Sequence, residues 1–207
     1  MINWIGAYIF SLLLFALFVE RRRMREKAAS LERLPTWARV LLCPFLFYLA
    51  ILHADVISLQ SDVTGLWILY TLVSGFTIWM HEAGHIYFRF FGNFMMYFGG
   101  TLNELLFPAL LAYWAHRQRF AVLRALAVTW IGLNLMDISH YIGDARAMKL
   151  RLLGAGDTRG HDWNNMLGML GLLESDHVIA AAATSIGCLV FMAGVVLLFM
   201  PAPTQSP

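Results

Sequence analysis

The chain has 207 residues, 59% hydrophobic and 14% charged, with a formal net charge of +2 and a mean hydropathy of +0.64. A soluble domain carries about 25% charged residues, so this composition excludes one. It predicts a single all-α domain over 1–207, a polytopic bundle of membrane helices. The two cysteines, Cys43 and Cys188, each lie in an apolar stretch without a neighbouring Cys or His. They read as small buried hydrophobes rather than a disulfide or a metal site.

Six apolar stretches reach the length needed to cross a bilayer, at 3–19, 36–57, 66–88, 94–114, 121–141 and 178–200. No basic residue precedes the first and no small-x-small cleavage site follows it, so it reads as an uncleaved anchor. A basic cluster at 21–27 comes next. With that cluster in the cytoplasm and sides alternating, twelve Lys and Arg fall inside and only Arg117, Arg119 and Arg124 outside. The expectation is six crossings with both termini outside, in a bacterial inner membrane.

Pro44 lies within the second stretch, and His53 and Asp55 are expected at the outer membrane face. The third stretch ends in His81-Glu82-Ala83-Gly84-His85 and then Arg89, toward the cytoplasm. The fourth is expected to be an interrupted span. It carries Gly99-Gly100, the polar pair Asn103-Glu104, and Pro108, which removes a helix hydrogen bond to the Glu104 carbonyl. Such breaks are tolerated at membrane depth only where protein or a wet cavity surrounds them. The fifth span leads through Asn134, Asp137 and His140 to Gly143-Asp144, and a loop then carries His161-Asp162-Trp163. The sixth begins with a run of small residues at 180–187 that allows close helix contact. The tail at 201–207 reads as disordered, and 66–165 as the catalytic core.

The pentad at 81–85 is the most specific signal. Two imidazoles four residues apart share one helix face and reach a single Zn²⁺, and the glutamate between them can act as general base on water. Its expected chance occurrence in a chain of this composition is below about 0.01. Two histidines and a carboxylate in a membrane-length segment are also costly unless function requires them. Ala83 and Gly84 let another element approach, although ordinary membrane-helix contact explains them equally well.

A catalytic zinc takes three protein ligands, and two candidates are open for the third. Asp144 stands at the cytoplasmic end of the fifth span; its alternative is a helix-end residue paired with Arg146 or Arg151. His161 stands on the following loop, with Asp162 placed to orient its imidazole; its alternative is a helix cap. Asp137 and His140 read as a local polar pair. Asn103, Glu104 and Asn134 are candidates for binding substrate or orienting a ligand, or for bracing a broken helix.

Taken together these residues resemble the site-2 protease family of intramembrane zinc metalloproteases. The likeness rests on the pentad, on Gly99-Gly100-Thr101-Leu102-Asn103, and on Asn134-Leu135 followed by Asp144, across roughly residues 66–150. The resemblance implies zinc held by His81, His85 and Asp144, with Glu82 activating water to cleave a peptide bond within or near the bilayer. The chain departs from the family in that Gly143 precedes Asp144, where the family has aspartate followed by glycine. The segment 161–163 has no counterpart there.

Two other functions are compatible with the pentad. One is zinc-dependent hydrolysis of a lipid amide or ester; the other is a non-catalytic zinc-binding scaffold or transporter. Membrane lipid and a membrane-embedded peptide are the expected partners. The basic cluster directly follows a span, so topology and anionic lipid explain it without nucleic acid.

Overall fold

The structure, a computed structural model, describes residues 32–53, 67–150 and 160–200. Among them every regular element is helical. Helix α1 is Thr36–His53, α2 is Trp67–Phe88, α3 is Asn93–Gln118, α4 is Ala121–Gly143, α5 is Asp162–Leu170 and α6 is Asp176–Leu197. The expected first span, the basic cluster at 21–27 and the tail lie outside the described residues. Three helices are long and apolar enough to cross a membrane: Asn93–Gln118, Ala121–Gly143 and Leu173–Leu197, while Thr36–Ile51 is a shorter apolar helix. Helix α2 has 22 residues and therefore spanning length; His81, Glu82 and His85 in its last turns make it the less apolar.

Short turns fix the neighbours. Between α2 and α3 a 3₁₀ turn, Arg89–Phe91, leads to Gly92 at φ 94°. Glycine enters that region of backbone space without the steric cost a Cβ would bring. Arg119, at φ 64°, closes α3, and the Phe120 N–H donates back to the Ala115 carbonyl at 2.8 Å. The chain thus reverses twice, so α2 and α4 run the same way with α3 antiparallel between them.

Helices α4 and α6 form the most extensive contact. They are antiparallel: Gly194 faces Thr129, Gly132 faces Phe191, and Gly187 faces Met136. Leu133, Met136, Phe191 and Val195 fill this seam and meet Leu46 and Leu49 of α1. Cys43 is half-buried, whereas Cys188 is exposed on α6, so the second cysteine is not the buried hydrophobe its sequence setting suggests.

Two expectations are corrected. The fourth span is not interrupted, because α3 is one continuous helix of 26 residues through both glycines and Pro108. The carbonyl that Pro108 leaves without its helical donor, that of Glu104, accepts instead from Asn134 Nδ2 at 2.7 Å. A side chain from α4 therefore replaces the missing backbone bond.

The second concerns His53. It lies beside the end of α4, at the same end of the bundle as His81, rather than across the membrane from it. Its Nε2 is 3.3 Å from Asp137 Oδ2, and His140 Nε2 donates to its carbonyl at 2.9 Å. At the other end of α1, Glu32 Oε1 accepts the Val122 N–H at 2.8 Å and Arg39 donates to the Leu198 carbonyl at 3.2 Å. Helix α1 therefore runs parallel to α4, held at both ends by polar groups that need partners.

Candidate metal centre

The last turns of α2 meet α3 at unusually close range, and glycine makes that possible. A Cβ on Gly84 would run into the Gly99 carbonyl, and one on Gly99 would come within 2.6 Å of the Gly84 carbonyl. A Cβ on Gly100 would strike the ring of His81. Asn103 adds a bond across the same seam, donating from Nδ2 to the Met80 carbonyl at 2.6 Å. Asn134 ties in α4, and its Oδ1 also accepts from Thr77 Oγ1 of α2 at 3.4 Å. Rings of Phe76, Phe107 and Trp130, with centroids 5.5–5.6 Å apart, close the three-helix junction around them.

Within this frame the two imidazoles are oriented from behind. His81 Nδ1 lies 3.2 Å from Glu104 Oε2, and His85 Nδ1 donates to the Met96 carbonyl at 2.7 Å. A carbonyl can only accept, so the neutral ring of His85 carries its proton on Nδ1 and turns the Nε2 lone pair forward. Both Nε2 atoms face one oxygen: Asp162 Oδ2 is 3.0 Å from that of His81 and 3.2 Å from that of His85. The ligand atoms of His81, His85 and Asp162 all lie within 4.8 Å of one another.

The chemistry of this donor set fits a divalent cation. With both Nδ1 protons committed, two lone pairs and a carboxylate oxygen converge, an arrangement that repels itself unless positive charge lies between them, as protons on the imidazoles or as a bound cation. Imidazole and carboxylate are suitable zinc donors, at bond lengths of about 2.0–2.2 Å. The Glu104–His81 contact is the outer carboxylate–imidazole pair that commonly fixes a ligand's tautomer. Burial raises the Asp162 carboxyl, but N–H bonds from His81 and His85, made when protons rather than an ion occupy their Nε2 atoms, hold it below the usual carboxylate range.

The structure places the expected residues unevenly. It brings His81, His85 and Glu104 together and adds Asp162 as the nearest carboxylate to both rings. Asp144 is elsewhere. Its two oxygens accept the Lys149 and Leu150 N–H groups at 2.9 Å each, and Oδ2 faces His161 Nε2 at 3.3 Å. His161 caps α5, its Nδ1 accepting the Asn164 N–H at 3.2 Å. Burial pushes the His161 imidazolium down, against the pull of Asp144, which suits a neutral ring that accepts on one nitrogen and donates from the other. Neither Asp144 nor His161 therefore joins the converging group of His81, His85 and Asp162. Asn103 and Asn134 bind helix carbonyls rather than facing the imidazoles, so the bracing alternative describes their contacts.

Glu82 is half-buried and makes no hydrogen bond or ion pair among the described residues. The sequence reading missed Tyr141. Its hydroxyl accepts the Asp162 N–H at 2.9 Å and donates to Asp162 Oδ2 at 3.3 Å, and its ring lies 6.0 Å from that of His81. A tyrosine near the end of an apolar helix reads as an interfacial anchor; only its seven-residue spacing from Asn134, two turns along one helix face, hinted at a shared role. Compared with family models, curated proteins and solved structures, the chain matches none.

Proposed function

We propose that this is a multi-pass membrane zinc metalloprotease that hydrolyses a peptide bond within or near the bilayer. The observation that carries the reading is the convergence of His81 Nε2, His85 Nε2 and Asp162 Oδ2, with both imidazoles held from behind by Glu104 and the Met96 carbonyl. His81, His85 and Asp162 would hold the ion. When bound, zinc polarises a carbonyl and brings the pKa of water at the site down towards ~7.

The rest is the work of the chain. Glu82 follows His81 directly on α2, and its carboxylate carries no competing bond among the described residues; it takes the proton from the attacking water and returns it to the leaving amine. Glu104 and Met96 keep the rings from turning, so the donors need no reorganisation during the reaction. The glycine seam between α2 and α3 holds their ends together and keeps His81 and Glu104 in register.

The test is metal analysis and turnover on the detergent-purified protein. Zinc is expected at about one per chain in the wild type and in Glu82→Gln, and absent from His81→Ala. Glu82→Gln is expected to lose at least about 10²-fold in turnover. Incubation with membrane peptides and, separately, with total lipid extract, both read by mass spectrometry, identifies the bond class. Products only from lipid would replace the protease reading with a lipid amide or ester hydrolase. A wild-type protein that takes up no divalent metal would overturn the site altogether.

A further inference from the structure

Asp162 is the one donor of the three that α2 does not supply. It comes from the first turn of α5, and its direction depends on what grips that turn. We propose that Tyr141 is the positioning residue that sets the Asp162 carboxylate for cation binding; the inference rests on the metal-site reading above.

One phenol makes both bonds. Its oxygen accepts the Asp162 backbone N–H at 2.9 Å, and its O–H donates to Asp162 Oδ2 at 3.3 Å. A hydroxyl has one proton and two lone pairs, so the two bonds are compatible. The first satisfies a helix N–H that has no partner within its own helix, which docks α5 on the end of α4. The second falls on the same oxygen that faces both Nε2 atoms and so fixes where that oxygen points.

The ring itself is wedged. His161 lies against it at 4.4 Å between centroids, and His81 at 6.0 Å. His161 is held in turn, with Nε2 on Asp144 and Nδ1 on the Asn164 N–H. Asp144 and His161, the two residues expected to compete for the ion, thus form the wall against which Tyr141 rests. Beneath them Ile138, Ile142, Ala145 and Leu167 form the apolar cluster that joins α4 to α5.

Tyr141→Phe removes the hydroxyl and keeps the ring and the apolar cluster around it, so the metal-free variant is expected to fold, melting somewhat below the wild type because the Asp162 N–H loses its partner. Its zinc affinity, measured by chelator competition, is expected to fall roughly 10- to 100-fold, the usual cost of losing a partner that orients a ligand. The visible absorption of the cobalt-substituted protein is expected to change with it, since that spectrum reports the donor geometry. His161→Gln removes the ring behind Tyr141 but leaves the phenol, and is expected to weaken zinc less than Tyr141→Phe does. Unchanged affinity and an unchanged cobalt spectrum in Tyr141→Phe would overturn the positioning role while leaving the metal site intact. So would a larger loss in His161→Gln than in Tyr141→Phe. If the wild type bound neither zinc nor cobalt, the metal-site reading would fail first, and this inference with it.

Discussion

His81 occupies both ring nitrogens, with Glu104 behind and Asp162 in front, and each contact demands something different of the proton. Glu104→Gln tests the rear contact. The amide N–H₂ group can turn toward Nδ1 and donate, which moves the ring proton to Nε2, where the ion would sit. Zinc affinity is expected to drop about 10- to 100-fold, read by chelator titration. The front contact separates the candidates for third ligand. Asp162→Ala is expected to lose the metal, whereas Asp144→Ala keeps it, because Asp144 faces Lys149, Leu150 and His161 and lies outside the converging group. Metal content of the two purified variants decides between them, and retention in Asp162→Ala with loss in Asp144→Ala would reverse the assignment. The histidine pair was legible in the sequence because four residues make about one turn of a single helix. The carboxylate that meets the pair comes from 77 residues further on than His85, and no local rule connects them.

Helix α3 is held to its neighbours by two devices of opposite kind. One is the absence of side chains at Gly84, Gly99 and Gly100. Gly84→Ala would drive a methyl group into the Gly99 backbone, which has no flexible end to yield, and overpacking of this sort costs about 1–3 kcal/mol or more. Gly75→Ala on the same helix meets nothing within 4 Å and is expected to be neutral or slightly stabilising. Thermal melts of the two variants in detergent make the comparison. The other device is the Asn134 amide on the Glu104 carbonyl. Asn134→Ala should cost about 1–3 kcal/mol, the penalty for a buried polar group left unpaired. In a Pro108→Ala background the restored backbone N–H can serve that carbonyl, so the same change should cost less; equal costs in the two backgrounds would refute the compensation. The sequence showed that Pro108 would orphan that carbonyl. It did not show that the rescue would come from α4 and keep the helix whole.

Across the whole molecule, the direction of α1 groups the charges. Glu32 and Arg39 lie with the start of α4 and the end of α6, which puts them at the end where α3 turns into α4 through Arg119. The Arg146 ion pairs with Glu174 and Asp176 lie at the opposite end, with the candidate metal centre. Strict alternation of sides along the sequence had placed Arg39 and Arg146 together and Arg119 across from them. Single cysteines at positions 39, 119 and 149, in a protein otherwise free of cysteine, are expected to react with a membrane-impermeant maleimide from one side for the first two and from the other side for the third. Labelling of 39 and 149 from the same side would restore the alternating order. Alternation assumes that every apolar stretch crosses the bilayer once, and α1 shows how buried polar contacts can set a helix's direction against it.

The sequence by itself determined that the chain is helical and apolar enough for a bilayer, and that two imidazoles and a glutamate share consecutive turns of one helix; of the six spans expected from it, three stand as long apolar helices among the described residues. These follow from composition and from the helical repeat, which act over a few residues. Only the tertiary structure decided that Asp162 faces the imidazoles while Asp144 and His161 pair with each other, that Asn103 and Asn134 bind helix carbonyls, and that Tyr141 stands at the junction. Those outcomes depend on which buried donors and acceptors find partners once the helices have met. That pairing is settled jointly by glycine contacts, turn geometry and polar satisfaction in several segments, and no one of them carries it alone.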